Sequence, residues 1–263
     1  MLFWLFWGFI SSSAIMAILW VFAEKYQRGD LVDLGWTTSI LLFASLAAST
    51  QPGDPGLRIL LFCLVFLWGG RLILGLLLRL LNSKVEDGRY ASLRESWGRN
   101  AKWRFFALFQ IEAILALILA WPFFLIASQS NLGWNATALS GILITLSGLV
   151  GETLADSQLK AYKASPDPDR VCKRGLWKYS RHPNYFFEWL VWVGFSLMAL
   201  PHRWGWSALG IPLLMYVSLR WVTGIPPSEK QALQSRGNAY RAYQQTTSAF
   251  FPLPPRKKPT TLN

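Results

Sequence analysis

The chain has 263 residues, of which 52% are hydrophobic and only 15% are charged, and its formal net charge is +12. Apolar runs recur along it, many near the roughly 20 residues that a helix needs to cross a bilayer, which excludes an ordinary soluble protein of one or two domains. The positive charge does not indicate nucleic-acid binding, because the basic residues are divided among the loops between these runs. We therefore predict an all-α integral membrane protein.

Seven transmembrane helices are predicted from the apolar runs. They cover residues 2–22, 31–48, 57–81, 105–126, 134–154, 185–200 and 204–222. No basic leader precedes the first run, so we interpret it as a retained helix and not as a cleaved signal peptide. Residues 1–250 are predicted to form one seven-helix domain and residues 251–263 a basic C-terminal tail. We expect the tail from Pro252 onward to be disordered.

The distribution of Lys and Arg predicts how these helices are oriented. With seven spans, all but four of the 26 basic residues lie on one side of the membrane. Arg58 and Arg203 lie on the other side, and Arg71 and Arg220 lie within spans. Because basic loops stay in the cytoplasm, the N-terminus is predicted outside and the C-terminus inside. We expect a multi-pass protein of a bacterial inner membrane, with its active site facing the cytoplasm.

Ionisable residues inside predicted spans are costly and usually mark function or ion pairs. Here they are Asp33, Arg71, Glu112, Glu152, Glu188 and Arg220. All six fall toward the cytoplasmic half of the predicted spans, which indicates a polar cavity open to the cytoplasm. For single residues other interpretations stay open: Arg220 could snorkel to the interface, and Glu112 could be the buried partner of a neighbouring helix.

Charged residues recur every fourth position where the fifth predicted span leaves the membrane. Glu152, Asp156 and Lys160 share one helix face, and the loop that follows is rich in basic residues. Such spacing is typical of a salt-bridge ladder on a solvated helix end. It also fits a face that contacts a ligand, and we favour this second interpretation because the acidic pair lies at the membrane boundary.

The stretch YSRHPNYFFEW, residues 179–189, places polar groups at the start of the sixth predicted span. Pro183 suits the first turn of a helix, so Asn184 and Glu188 lie one turn apart on one face. The free N–H groups of a helix start favour an anion, and Arg181 and His182 add donors. A ligand that carries phosphates and an amide-bearing ring fits this pattern. Lipid headgroups could also bind the two basic residues, but they would not explain Asn184 and Glu188, which are predicted to face inward.

The segment GLWKYSRHPNYFFEW resembles the C-terminal signature of the steroid 5α-reductase family, including its bacterial members. The wider superfamily includes sterol reductases and the isoprenylcysteine-type membrane methyltransferases. The resemblance covers roughly residues 145–253, and more weakly VEDGRYASLRESWG (85–98) and DLVDLGW (30–36). It implies a seven-helix reductase that holds NADPH in a cytoplasm-facing cavity.

The resemblance also implies which residues bind the cofactor. Asn184 and Glu188 match the family's motif Asn and Glu, and Asp156 matches its acidic residue at the end of the fifth helix. The basic residues among those listed next would bind the phosphates of the cofactor. The expected cofactor-binding residues are Arg89, Glu152, Asp156, Lys160, Lys163, Arg170, Arg174, Tyr179, Arg181, His182, Asn184, Tyr185 and Glu188.

The chain departs from the steroid enzymes at three places. Phe187 stands where the family usually has Gly, and GIPPSEK replaces a His-rich segment. The catalytic Gln-Glu pair of the second helix is missing, and Asp33, near Trp36, is the nearest acidic substitute. We expect Asp33, Trp36 and Arg71 to form the catalytic set, with a protonated Asp33 as donor to a substrate carbonyl, assisted by a Tyr or by Arg71.

The resemblance implies two possible functions. The first is NADPH-dependent reduction of the carbon–carbon double bond of an enone lipid, for which a 3-oxo-Δ4 steroid is the family's type of substrate. The alternative is an S-adenosylmethionine-dependent membrane methyltransferase, which RHPNY and Glu229 fit nearly as well. Asn184 with Glu188 favours the reductase, because a nicotinamide carboxamide needs a donor and an acceptor. A transporter is disfavoured, because the polar groups cluster on one side instead of at midplane. We expect a lipophilic small-molecule partner, and no metal.

Overall fold

The computed structural model describes residues 2–83, 85–130, 135–164 and 171–256. This part of the chain is helical. In chain order the α-helices are α1 (Leu2–Tyr26), α2 (Leu31–Thr50), α3 (Pro55–Asn82), α4 (Gly88–Trp97), α5 (Ala101–Leu119), α6 (Trp121–Ala127), α7 (Ala136–Ala164), α8 (Pro183–Ala199), α9 (Gly210–Val217), α10 (Ile225–Arg236) and α11 (Asn238–Thr246). Short 3-10 turns and one π-helical turn, Ser218–Val222, connect some of them.

Six helical segments within the described residues are long and apolar enough to cross a membrane. They are Leu2–Tyr26, Leu31–Thr50, Pro55–Asn82, Gly88–Ala127, Ala136–Ala164 and Gly205–Arg236. They confirm the prediction of an all-helical, integral, multi-pass membrane protein. The remaining predicted span, residues 185–200, corresponds to α8, whose 17 residues lie at the lower limit for a crossing helix. A count of seven and the orientation stay predictions.

Local signals in the sequence explain where several helices begin. Asp54 caps α3 by accepting a hydrogen bond from the backbone N–H of Leu57 at 3.0 Å, and Pro55 occupies the first turn. Asp87 caps α4 in the same way through the N–H of Arg89. Pro122 in the first turn of α6 interrupts the fourth predicted span, because proline cannot continue the helical hydrogen bonding of α5.

The chain divides into two compact units. The first comprises Met1–Leu139 and Ser196–Ile211. Within it, α2 packs against α1, α3 and α5. Phe43, Trp68, Phe105 and Phe109 are fully buried. α2 also buries small residues, among them Ser39, Ala44 and Ala47, and small side chains let helix backbones approach closely in a bilayer, where hydrophobicity does not drive helices together.

The second unit comprises Ser140–Phe195 and Pro212–Asn263. In it, α7 and α8 approach closely at glycines. A Cβ atom on Gly151 would lie 2.2 Å from the ring of Phe187, and one on Gly194 would lie 2.2 Å from Oγ1 of Thr145. Phe187, which replaces the family's usual glycine, therefore packs against a glycine on the facing helix.

The C-terminal segment is attached to the second unit. The N–H of Leu253 donates to the carbonyl of Tyr179 at 3.0 Å, and the hydroxyl of Ser180 donates to the carbonyl of Phe250 at 2.8 Å. The N–H of Arg256 donates to the carbonyl of Thr246 at 2.8 Å. The expectation of disorder from Pro252 onward is therefore wrong for residues 252–256, because backbone hydrogen bonds hold them. Residues 257–263 lie outside the described residues.

Candidate functional site

A carboxylate in the first turn of α2 organises a polar cluster in the first unit. The hydroxyl of Tyr90 donates to Oδ1 of Asp33 at 2.6 Å. Nη2 of Arg89 donates to Oδ2 of Asp33 at 3.2 Å, and Nη2 of Arg79 lies 3.6 Å from the same oxygen. Tyr90 is buried, while Asp33 and Arg89 are half-buried. One phenol and two guanidinium groups thus converge on one carboxylate.

The turn that precedes α4 positions this cluster. Oδ1 of Asp87 accepts hydrogen bonds from the backbone N–H of Arg89 at 3.0 Å and from its Nε at 3.1 Å. Nη1 of Arg79 lies 3.1 Å from Oδ2 of Asp87. Burial acts to raise the pKa of Asp87, but the neighbouring Arg89 and Arg79 outweigh it and hold that pKa below its ordinary value. Asp87 is therefore ionised at neutral pH and fixes the two arginines beside Asp33.

This geometry changes the expected role of Asp33. A protonated carboxyl was expected to donate to the substrate, but in the structure Asp33 accepts from a phenol and contacts two guanidinium groups. The hydroxyl of Tyr90 can donate one hydrogen bond, and in this structure it donates that bond to Oδ1 of Asp33. Sequence reasoning left this tyrosine unnamed, although it lies in VEDGRY, a segment that the family resemblance included. Asp33 holds the Tyr90 hydroxyl and Arg89 in place, and its part in catalysis stays a prediction.

The other expected catalytic residues lie on α2 and α3. The ring of Trp36 packs edge-on against Trp68, with ring centroids 5.9 Å apart, and joins the apolar core around Phe105. Arg71 follows Trp68 by three residues on α3 and therefore shares its helix face. The structure thus places Trp36 and Trp68 together and Arg71 one turn further along. Glu112 of α5 is close enough to Asp33 to interact with it electrostatically.

The start of α8 carries the expected amide and carboxylate in the second unit. α8 begins at Pro183, as the sequence predicted. Oδ1 of Asn184 is buried and has no hydrogen-bond partner among the described residues. One turn later Glu188 is buried, and its Oε1 accepts a hydrogen bond from Nε1 of Trp192 at 2.9 Å. A buried amide oxygen without a partner costs free energy, so a ligand that donates to it would bind favourably.

The basic residues just before α8 bind other parts of the second unit. Nε of Arg181 donates to Oε1 of Glu229 at 2.6 Å, and Nε2 of His182 lies 3.3 Å from the same oxygen. Nε2 of Gln244 donates to Oε2 of Glu229 at 2.9 Å, and Tyr240 contacts Oε1 at 3.4 Å. Arg181 and His182 thus join α10 and α11 to the start of α8, and the expectation that they bind the cofactor stays a prediction.

Burial and stacking define the environment of His182. Its ring lies parallel to that of Tyr185, with centroids 5.3 Å apart, and the hydroxyl of Tyr185 lies 3.0 Å from Oγ of Ser228. Burial lowers the pKa of His182, although the hydrogen bond with Glu229 acts in the opposite direction. The imidazole is therefore neutral at neutral pH, and it contributes to the fold by packing against Tyr185 and not by its charge.

The predicted ladder on α7 divides by burial. Glu152 is buried and Asp156 is half-buried, whereas Lys160 and Lys163 are exposed. Two further expected cofactor-binding residues, Arg174 and Tyr179, are also exposed. Arg170 lies outside the described residues. The two acidic residues therefore face the protein and the basic ones face solvent, where phosphates could reach them.

The predicted site residues fall in both compact units. Asp33, Trp36, Arg71 and Arg89 belong to the first, and the residues from Glu152 to Glu188 belong to the second. Each unit brings its own set of polar groups together. The expectation of one cytoplasm-facing chamber that serves all of them stays a prediction.

Comparisons with known proteins agree with the resemblance seen in the motifs. The family described as "Protein of unknown function (DUF1295)" matches residues 19–247. The curated protein "Steroid 5-alpha-reductase DET2" of Solanum lycopersicum is 29% identical over 112 residues, which cover 43% of this chain and 40% of that protein. The match thus spans less than half of the curated relative. No solved structure matches the chain significantly.

Proposed function

Because this chain belongs to the DUF1295 family, a steroid 5-alpha-reductase-like family, we propose that it is a membrane-bound, NADPH-dependent reductase of an enone lipid. The reaction would saturate the carbon–carbon double bond conjugated to a carbonyl, and a 3-oxo-Δ4 steroid is the proposed type of substrate. The observation that carries this proposal is the cluster of Tyr90, Asp33 and Arg89, which presents a buried phenol beside a charged positioning pair.

Reduction of an enone needs a hydrogen-bond donor at the carbonyl oxygen. When hydride adds to the carbon β to the carbonyl, negative charge develops on that oxygen, and a proton from water then adds to the α carbon. Tyr90 would donate to the oxygen. If the hydroxyl of Tyr90 donates to the substrate instead of to Asp33, Asp33 still contacts Arg89 and Arg79. Its carboxylate is therefore not left without a partner. A donor held in place before the reaction stabilises the developing charge most effectively.

The start of α8 fits the nicotinamide end of the cofactor. The buried Oδ1 of Asn184 matches the N–H of a carboxamide, and Glu188, fixed by Trp192, lies on the same helix face. NADPH would supply the hydride. The exposed Lys160, Lys163 and Arg174 are proposed to meet its phosphates.

Residues of the first unit would orient the substrate. Trp36 offers a flat aromatic surface to an apolar ring system, and Arg71 is proposed as a second polar contact for the carbonyl. Arg89 was expected to bind the cofactor; its contacts with Asp33 and Asp87 support a different proposed role, in which it positions the donor.

The test is consumption of NADPH by the purified protein with a panel of enone lipids. Reduced nicotinamide absorbs in the near ultraviolet, so the reaction is followed directly, and mass spectrometry identifies a product heavier by two hydrogens. We expect consumption only with compounds in which the double bond is conjugated to a carbonyl, and not with the matching saturated ketones. A methylated product formed from S-adenosylmethionine would favour the methyltransferase instead, which the comparisons do not favour.

A further inference from the structure

A polar cavity lies within the second unit, and the proposed reaction does not use it. Its volume is about 320 Å³. Three arginines line it, Arg181, Arg220 and Arg256, and part of the wall is formed by the aromatic rings of Tyr216, Phe250 and Phe251. None of the residues that line it is acidic. The cavity therefore combines concentrated positive charge with an aromatic wall.

Only one of the three arginines has its charge balanced nearby. Arg181 is paired with Glu229 at 2.6 Å. Within residues 2–83, 85–130, 135–164 and 171–256, no carboxylate lies within 4.0 Å of the guanidinium groups of Arg220 or Arg256. Two like charges that line one cavity without a counter-ion repel each other. An anion that binds between them removes this repulsion, and guanidinium groups bind phosphate oxygens in a well-defined geometry.

Hydrogen bonds hold the walls of this cavity in place. Nη1 of Arg181 donates to the carbonyls of Gln244 at 3.1 Å and Thr247 at 2.6 Å. The backbone N–H of Arg181 donates to the carbonyl of Ser248, and that of Arg256 donates to the carbonyl of Thr246, each at 2.8 Å. Because the chain on both sides is fixed, little ordering is required when a ligand binds.

We propose that this cavity binds a phosphate group, the chemistry shared by phospholipid headgroups and soluble phosphates. The surroundings favour the phosphodiester of an anionic phospholipid. Arg220 lies in the last membrane-crossing segment, Gly205–Arg236, and the neighbouring Trp221 and Val222 expose 56% and 62% of their surface. Aromatic side chains gather at the membrane interface, and basic residues next to a span attract anionic headgroups. This site is independent of the proposed reductase activity.

The test compares two soluble short-chain lipids on the full chain in detergent. Dioctanoyl phosphatidylglycerol carries an anionic headgroup, and dioctanoyl phosphatidylcholine is its zwitterionic control. Binding is measured by native mass spectrometry and by the shift in thermal unfolding, with inorganic phosphate added as a competitor. We expect the anionic lipid to bind more tightly. Since each arginine near a membrane surface contributes about 1 kcal/mol, Arg220→Gln and Arg256→Gln should each weaken binding about fivefold, and both together about 30-fold.

Arg241→Gln is the matched control, because Arg241 is exposed on α11 and does not line the cavity. Arg256→Gln keeps the test informative even if Arg220→Gln unfolds, since Arg256 lies on the exposed C-terminal segment.

Tight lipid binding that phosphate does not displace supports a headgroup site. If inorganic phosphate displaces the lipid from the unchanged protein, and the double variant no longer binds phosphate, the same site binds a soluble phosphate. Equal binding of the two lipids without competition, or full binding by the double variant, would overturn the proposal.

Discussion

Removal of one oxygen atom from Tyr90 tests the proposed donor. Tyr90→Phe deletes the 2.6 Å hydrogen bond to Asp33 and leaves the ring in place. Hydrogen bonds to charged groups contribute about 1.5–3 kcal/mol to stability. The loss should fall near the lower end, because Asp33 keeps Arg89 at 3.2 Å and Arg79 at 3.6 Å. The fold should therefore persist, and the variant can be assayed.

The effect on catalysis should be larger than the effect on stability. Removal of one donor to a developing oxyanion lowers kcat about 100-fold to 1,000-fold, equivalent to roughly 2.7–4 kcal/mol. NADPH affinity should not change, because the proposed partner of Tyr90 is the substrate carbonyl and not the cofactor. The assay is steady-state NADPH consumption with an accepted enone, together with a separate cofactor-binding measurement. Tyr26→Phe is the control, since Tyr26 is exposed on α1. Full kcat in Tyr90→Phe would refute the assignment of the donor.

Three further variants separate the other roles. Asn184→Ala should abolish NADPH retention without altering thermal unfolding, as measured by fluorescence titration, and unchanged binding would remove Asn184 from the cofactor site. Asp33→Asn should bind NADPH normally but lower kcat about 10-fold to 100-fold, because Tyr90 loses a charged partner; normal turnover would exclude a positioning role. Since burial holds the pKa of His182 below its ordinary value, near 6.5, the neutral ring should stabilise the fold above that pH. This stability should be lost as the pH falls from about 6.5 toward the lowered pKa. In His182→Gln the thermal unfolding temperature should not fall over the same pH range.

Helix positions could be predicted from the sequence because they depend on local features. α2 begins at Leu31 and α8 at Pro183, where an apolar run or a proline marks the first turn. The membrane character depends only on the length and composition of the apolar runs. The short α8 shows the limit of this reasoning, because a helix of 17 residues is at the lower limit for crossing a membrane and could also be a buried helix.

Pairings between distant residues could not be predicted. Tyr90 and Asp33 are separated by 57 residues, and Arg181 and Glu229 by 48. Hydrophobic periodicity says nothing about which distant side chains meet. Arg181 and His182 lie beside a helix start, which is a place where anions bind, and this local pattern predicted a bound ligand. It could not show that Glu229 of α10 contacts both residues. The resemblance identified the region around Tyr90 without showing which of its side chains faces Asp33.

The central claim is that this protein transfers hydride from NADPH to an enone, and isotope transfer tests it most directly. Purified protein is incubated with NADPH that carries deuterium at the reactive carbon of the nicotinamide, and with the enone that it consumes. We predict one deuterium at the carbon β to the carbonyl in the saturated product, and none in the product made with unlabelled cofactor. An unlabelled saturated product, or no product from any enone in the panel, would contradict the account.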